Sequence, residues 1–593
     1  MPDAAMDIKE HDQLIREVFI DPIRTVIVVD DEYPTLDSLL SEKEFEENGW
    51  KGKFPEVKRV RELLDFARTK EKPWLVDVHD GKKFTYKAEE IIAPYLHHSD
   101  LLVLDYNLDP FGVKGKDAIN ILRRLAENDH FNSVIVYTNE DIINKVVREI
   151  ALGLTSPDST LSTAESKPLL DTLEKWEEKE EGITSKLEDE VTEETYLQVR
   201  TKYSGNYDKI LSMEGEGKRI RDHWSRLNKD NPLDPKQLVK WLAFRRQEKI
   251  KAQLSLKSIG NIQVCNSTEN NWIQTGSLFI TVLSKRSSPA QFETVLLEAI
   301  KASFPSPHRL LLAKIRSEID QRGVLAEAAI LENKYLQVQW LGDFLNPDPT
   351  DIKGVILNTI DRHWEALGDQ MRVAVNNFAQ KIHQAFLPLG VNGVMDKCSL
   401  NKDDLGSDES LKRFNCFTST KPIDRSHLTT GHIFQMYSVV GGEPRMWICL
   451  SPACDLVPNQ KTHTYLNESV PFIAARLHKV SPKKALDDAN RNVFLFLDMD
   501  GKVETFCIHK EGNIILNPEW EQMFAHNQGR FHNENKLTIA LIVEKCGDLI
   551  SCWNEATLVA QLRSEYALNL LQRIGALLSR PGLGINFKSR LKQ

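Results

Sequence analysis

Three short apolar runs, each closed by a carboxylate or a hydroxyl, constrain this chain more than any other feature. They are Thr25-Val26-Ile27-Val28-Val29 before Asp30 and Asp31, Asp100-Leu101-Leu102-Val103-Leu104 before Asp105, and Ser133-Val134-Ile135-Val136-Tyr137 before Thr138. Short runs rich in Val, Ile and Leu fit strands covered on both faces, as in a parallel sheet flanked by helices. The segment Gly115–Glu127 has apolar residues at helical spacing and fills the crossover to the third run. A further strand is expected at Trp74–Val78, and residues 1–20 read as an amphipathic helix leading into the first strand.

The 593 residues leave room for about three to five domains. A net charge of −10 argues against a chain that coats nucleic acid nonspecifically. Eight cysteines without framework spacing suggest reduced thiols in the cytoplasm. The N-terminus lacks an apolar signal core, and no uninterrupted apolar stretch approaches the ~20 residues of a membrane helix. The expectation is a cytoplasmic protein without a membrane partner.

Residues 141–271 are helical in composition, acidic over 171–195 and basic over 218–251, which reads as a solvated helical hairpin or bundle; a nucleic-acid surface is the alternative. The strand pattern returns at Ser277–Leu283, ending in Ser284-Lys285, with a helix over Pro289–Ser303. Residues 308–388 are helix-rich, 391–428 read as a polar linker, short strands dominate 431–550, and Glu555–Ser579 reads as a closing helix. The fold class is therefore multidomain α/β plus β.

Asp30-Asp31, Asp105 and Thr138 stand at the C-terminal ends of successive strands, where open α/β sheets place their sites. Any one such Asp is commonly a turn or helix cap. The ordered set suits Mg²⁺, which prefers hard oxygen ligands, beside an aspartate nucleophile for phosphoryl transfer. The segments IVVDDE, LLVLDYNLDP and VIVYT resemble the receiver domain of two-component response regulators, with its parallel CheY-like sheet. That resemblance implies Asp105 as phospho-acceptor, Asp30, Asp31, Asp105 and the Asn107 carbonyl as Mg²⁺ ligands, and Thr138 as a phosphoryl contact. The acidic pair lies further from Asp105 than usual, implying an insertion around 35–75. The lysine that ends the family's fifth strand is assigned to Lys285 in LFITVLSK, across the 141–271 insertion; Lys167 is the other candidate. The implied layout is a receiver over 1–140 and 272–303, a helical connector and linker over 304–427, and a barrel over 428–593. A variant receiver lineage of bacterial conflict and signalling operons is similar in its spacing and effector fusions.

The C-terminal part resembles the MazF/PemK toxin fold, a small SH3-like barrel. The matching text is Gly431-His432-Ile433, Arg445 to Pro452, and the ending Leu558–Arg563 with Gln572–Ser579. In that family the matching arginine, here Arg445, and a Thr or Ser assist RNA cleavage. Here Pro471 is followed by Phe472-Ile473-Ala474, so the hydroxyl is missing. Cys454 and Asp455, with His463 or His478, are candidates for other chemistry; the plainer reading is a buried cysteine and a turn-capping Asp. The cysteine spacings do not suit zinc.

The leading expectation is a phosphorylation-responsive signalling protein, in bacterial stress or antiviral defence, whose Asp105 controls a C-terminal output. Its partners would be a histidine kinase or other phosphodonor, a partner ATPase or effector, and RNA at the barrel. A MazF-like endoribonuclease gated by the receiver is the alternative, and a scaffold that is never phosphorylated is a third reading.

Overall fold

A computed structural model describes residues 8–35, 54–79, 99–108, 114–127, 130–159, 167–229, 231–253, 262–267, 269–345, 352–437, 443–458, 468–514, 516–532 and 535–578, with Ser38, Leu40, Leu96 and Leu466 besides. The chain divides into two compact units, residues 1–317 with 375–394, and residues 318–374 with 395–593.

The first unit opens with α1 (Ile8–Ile15), continued by a π-turn over Arg16–Ile20, then β1 (Thr25–Val29), α2 (Phe54–Thr69), β2 (Leu75–His79), β3 (Leu101–Asp105), α3 (Lys116–Ala126), β4 (Asn132–Thr138) and α4 (Ile143–Leu154). Five helices follow: α5 (Lys167–Lys179), α6 (Ile183–Glu190), α7 (Glu193–Lys202), α8 (Glu216–Leu227) and α9 (Pro235–Gln253). The hairpin β5 (Gln263–Asn266) and β6 (Asn271–Gln274) then leads to β7 (Leu278–Ser284) and α10 (Phe292–Ser303).

The sheet order is β2-β1-β3-β4-β7-β6-β5. The first five of these strands run parallel, with β7 in register beside β4, Thr138 opposite Ser284. Strand alternation divides the apolar residues between two cores, as a sheet covered on both faces requires. Leu102, Leu104, Val134, Val136, Ile280 and Val282 face one side, and Leu101, Val103, Ile135, Tyr137 and Phe279 the other.

The helices over 167–253 form a bundle rather than a hairpin, and its apolar face is packed on the sheet rather than solvated. Trp176, Ile183, Leu187, Val199 and Leu242 are buried in the same core as Leu104 and Val136 of the sheet. Exposed charges such as the Glu248–Lys251 pair at 2.9 Å lie on the outer faces, the apolar faces close over the sheet, and the buried Glu188 is paired with Arg245 at 2.7 Å. The β5–β6 hairpin had no clear sequence signal and extends the sheet antiparallel beyond β7.

α11 (Pro307–Leu331), α12 (Lys334–Leu345) and α13 (Ile352–Phe386) form the helical middle, followed by α14 (Gly390–Lys397), α15 (Asp408–Ser419) and the two-residue strand β8 (Thr420–Lys421). The expected linker is thus partly helical. Ser407 caps α15 by accepting the Ser410 N–H, Asp408 and Glu409 sit in its first turn, and its Cys416 is buried.

The C-terminal strands are β9 (His432–Met436), β10 (Arg445–Cys449), β11 (Val470–Lys479), then α16 (Pro482–Asp487), β12 (Phe494–Met499), β13 (Lys502–Cys507), β14 (Trp520–Ala525), β15 (Lys536–Lys545) and β16 (Asp548–Leu562), with α17 (Ser564–Leu578) last. Antiparallel pairing runs β10-β9-β16-β15-β14-β11, and β10 also pairs with β11, which closes a six-stranded barrel. Its interior holds Phe434, Trp447, Phe472, Met523 and Ile539. The helix expected from Glu555 starts at Ser564 instead, because residues 556–561 pair with β9. Gly431 has φ +87°, and a Cβ there would stand 2.7 Å from that of Ala567, so only glycine lets α17 pack this closely.

Candidate functional site

The parallel sheet brings Asp30, Asp31, Asp105 and Lys285 to one edge. Asp30 directly follows β1, where its N–H donates to the His79 carbonyl at 3.0 Å and its carboxylate accepts the Glu32 N–H at 3.0 Å. Asp105 ends β3, and its carboxylate accepts the Asn107 N–H at 3.3 Å. The Lys285 N–H donates to the Thr138 carbonyl at 2.7 Å, continuing the β4–β7 ladder by one residue. The Lys285 ammonium then reaches Asp30 at 2.8 Å, Asp105 at 2.9 Å and Glu32 at 3.2 Å. Lys285, Asp30, Asp105 and Thr138 are all buried.

Electrostatically the site is short of positive charge. Burial, reinforced by Asp105 and opposed by Lys285, lifts the Asp30 carboxyl to about 7. Burial and the Asp105 charge lift Asp31 to about 6. Burial works against the Lys285 charge, but Asp30 and Asp105 hold the ammonium above its ordinary range. One lysine therefore does not neutralise the cluster.

The donor set fits a divalent cation. Ligand oxygens from Asp30, Asp31 and Asp105 lie within 4.8 Å of one another. A buried Asp31 oxygen has no hydrogen-bond partner, which marks an acceptor left for a ligand. Three carboxylates with oxygen-rich neighbours suit Mg²⁺.

Several neighbours escaped the sequence reading. Glu140 accepts from the Asn107 amide at 3.0 Å and Lys114 at 2.6 Å, and its N–H donates to the Thr138 hydroxyl at 3.1 Å. This carboxylate ties the loop after β3 to the loop after β4. Tyr137 turns to the other face, where its hydroxyl donates to the Ser287 carbonyl at 2.5 Å and pins the loop after Lys285. The runs IVVDDE and VYTNE carried the only signal for Glu32 and Glu140, a carboxylate one or two residues past a site residue.

The barrel candidates do not assemble in the same way. Arg445 opens β10, exposed, and its charge lies near Glu521. Cys454 is exposed rather than buried, with its thiol 3.4 Å from Asp455 in the turn Ala453–Leu456. His478 lies on β11, its ring 3.7 Å from Glu519, and His463 falls outside the described residues. Phe472 is part of the barrel core.

A parallel sheet with an acidic cluster and a lysine at the C-terminal ends of its strands defines a receiver-type domain. Residues 22–191 match the family model of the response receiver domain. The barrel lies outside that match. No curated protein and no solved structure matches the chain.

Proposed function

We propose that this chain is a phosphorylation-responsive signalling protein in which Asp105 accepts a phosphoryl group. The observation that carries the reading is the buried cluster of Asp30, Asp31 and Asp105, with the Lys285 ammonium 2.9 Å from Asp105. In the step itself an Asp105 oxygen attacks the donor's phosphorus, the donor P–O or P–N bond breaks, and the donor departs with the electron pair. Bound Mg²⁺ would supply charge neutralisation at the phosphoryl oxygens. Asp30, Asp31, Asp105 and the Asn107 carbonyl are its assigned ligands. Lys285 is assigned to a phosphoryl oxygen as a point charge, and the Thr138 hydroxyl to another.

A receiver implies a phosphodonor protein such as a histidine kinase. The receiver is assigned to 1–140 and 272–303, interrupted by 141–271, with 304–427 as connector and 428–593 as output. The barrel is read as a recognition or coupling module, in a bacterial stress or defence setting. Arg445 can polarise a phosphate, but cleavage also needs positioned proton transfer, worth about 10²–10⁴-fold, and Phe472-Ile473-Ala474 offer no side chain for it.

The test is a thermal shift with Mg²⁺ and beryllofluoride, a phosphoryl mimic. The wild-type protein should be stabilised and Asp105→Asn should not respond. Equal shifts in both proteins would remove Asp105 from the site.

A further inference from the structure

The helical end formed by residues 318–374 exposes many large apolar side chains. No residue of α12 is buried, although its sequence, KYLQVQWLGDFL, is mostly apolar. Tyr335 is 76% exposed, Val338 70%, Leu345 68% and, on α13, Trp364 64%. Leu331, Leu336, Leu341, Ile360 and Val373 are exposed as well. Beside these projecting side chains lies a groove of about 650 Å³, lined by Gly323, Trp340, Phe344, Ile356, Ile360 and Trp364.

We infer that this helical end is a homodimer interface, covered by the same surface of a second copy of the chain. Area is the first argument. At ~150–250 Å² per aromatic ring and roughly 100 Å² per aliphatic side chain, the exposed fractions amount to on the order of 900 Å². A stable interface buries about 800 Å² per partner, which is of the same order.

Shape and charge select the occupant. The surface presents both an apolar groove and apolar projections that do not fill it. A two-fold axis puts each copy's projections into the other's groove, which is the self-complementarity an isologous interface needs. The charges around the surface are of both signs, Lys334 and Asp343 on α12 and Asp361, Arg362 and Glu365 on α13, so no single sign of charge selects an oppositely charged partner. α12 also lacks the Lys- and Arg-rich face that draws an amphipathic helix to anionic lipid.

The experiment is sedimentation velocity on the full chain at roughly 10 µM, a concentration that populates a dimer of about micromolar or tighter Kd. The wild type should sediment as twice 67.8 kDa. The double variant Tyr335→Glu/Val338→Asp should be monomeric, and Trp364→Ser should weaken association by roughly 30-fold or more, as loss of an aromatic anchor does. All three positions are exposed, so circular dichroism should match the wild type. A monomeric wild type, or a double variant that is still dimeric, overturns the inference. So does a monomeric wild type that co-floats with anionic vesicles, which would assign the surface to lipid.

Discussion

Replacing Lys285 by Met keeps an unbranched side chain of similar length and removes only the charge. The ammonium is buried and makes three ion pairs, at 2.8 Å to Asp30, 2.9 Å to Asp105 and 3.2 Å to Glu32. Glu32 is half-exposed, so water takes over that contact in the variant. Asp30 and Asp105 are buried and would be left without the cation. Breaking a buried pair from one side costs about 3–5 kcal/mol. At 2–4 °C per kcal/mol, the receiver transition should fall by roughly 6–20 °C. The cost depends on pH. Asp30 titrates at about 7 and Asp31 at about 6, both above the ordinary 3.8. Groups raised in this way contribute fully below about pH 4, and their contribution is lost as pH rises through 6 to 7. The Lys285→Met penalty should therefore be larger at about pH 8 than near pH 5, where Asp30 binds a proton and only the Asp105 pair is still lost. Mg²⁺ should restore more stability to the variant than to the wild type, because its site no longer contains a competing ammonium. Differential scanning fluorimetry at both pH values, with and without Mg²⁺, measures all of this. A loss at pH 8 below ~3 °C, or an equal loss at pH 5, would refute the electrostatic reasoning.

Trp176 is fully buried in the core shared by α5 and the sheet, so Trp176→Ala should cost about 3–5 kcal/mol and lower the same transition that Lys285→Met lowers. A separate transition for α5 would contradict the shared core. Burial holds the His432 imidazole neutral, its pKa pulled from 6.5 to about 4. The barrel should thus be fully stabilised above about pH 6.5 and lose roughly 3 kcal/mol as pH falls to 4, and His432→Gln should flatten that slope in a pH series of urea melts. Single-stranded RNA should survive incubation with the protein, with or without beryllofluoride; cleavage that disappears in Arg445→Ala would promote the ribonuclease reading.

The sheet was legible because its strands are buried on both faces, and that condition writes unbroken Val, Ile and Leu runs into the sequence. Lys285 was legible for the same reason: LFITVLSK is such a run, although 141–271 separates it from its parallel neighbour β4. The burial of the insertion was not, since an amphipathic helix has the same pattern whether its apolar face covers another helix or a sheet. The helix Asp408–Ser419 hid in a polar segment with few core positions, and only its Ser407 cap and acidic first turn announced it. Leu558–Leu562 looked helical because short apolar runs fit either state, and pairing with β9 decides it. Glu140 depends on how two loops approach each other, which spacing along the chain does not encode.

The central claim is that Asp105 is phosphorylated, and its most direct measurement is peptide mapping by mass spectrometry after incubation with acetyl phosphate and Mg²⁺. One phosphoryl group should appear on the peptide containing Asp105, be absent without Mg²⁺, and be absent in Asp105→Asn. An unmodified wild-type protein, or a phosphoryl group that persists in Asp105→Asn, would contradict the account.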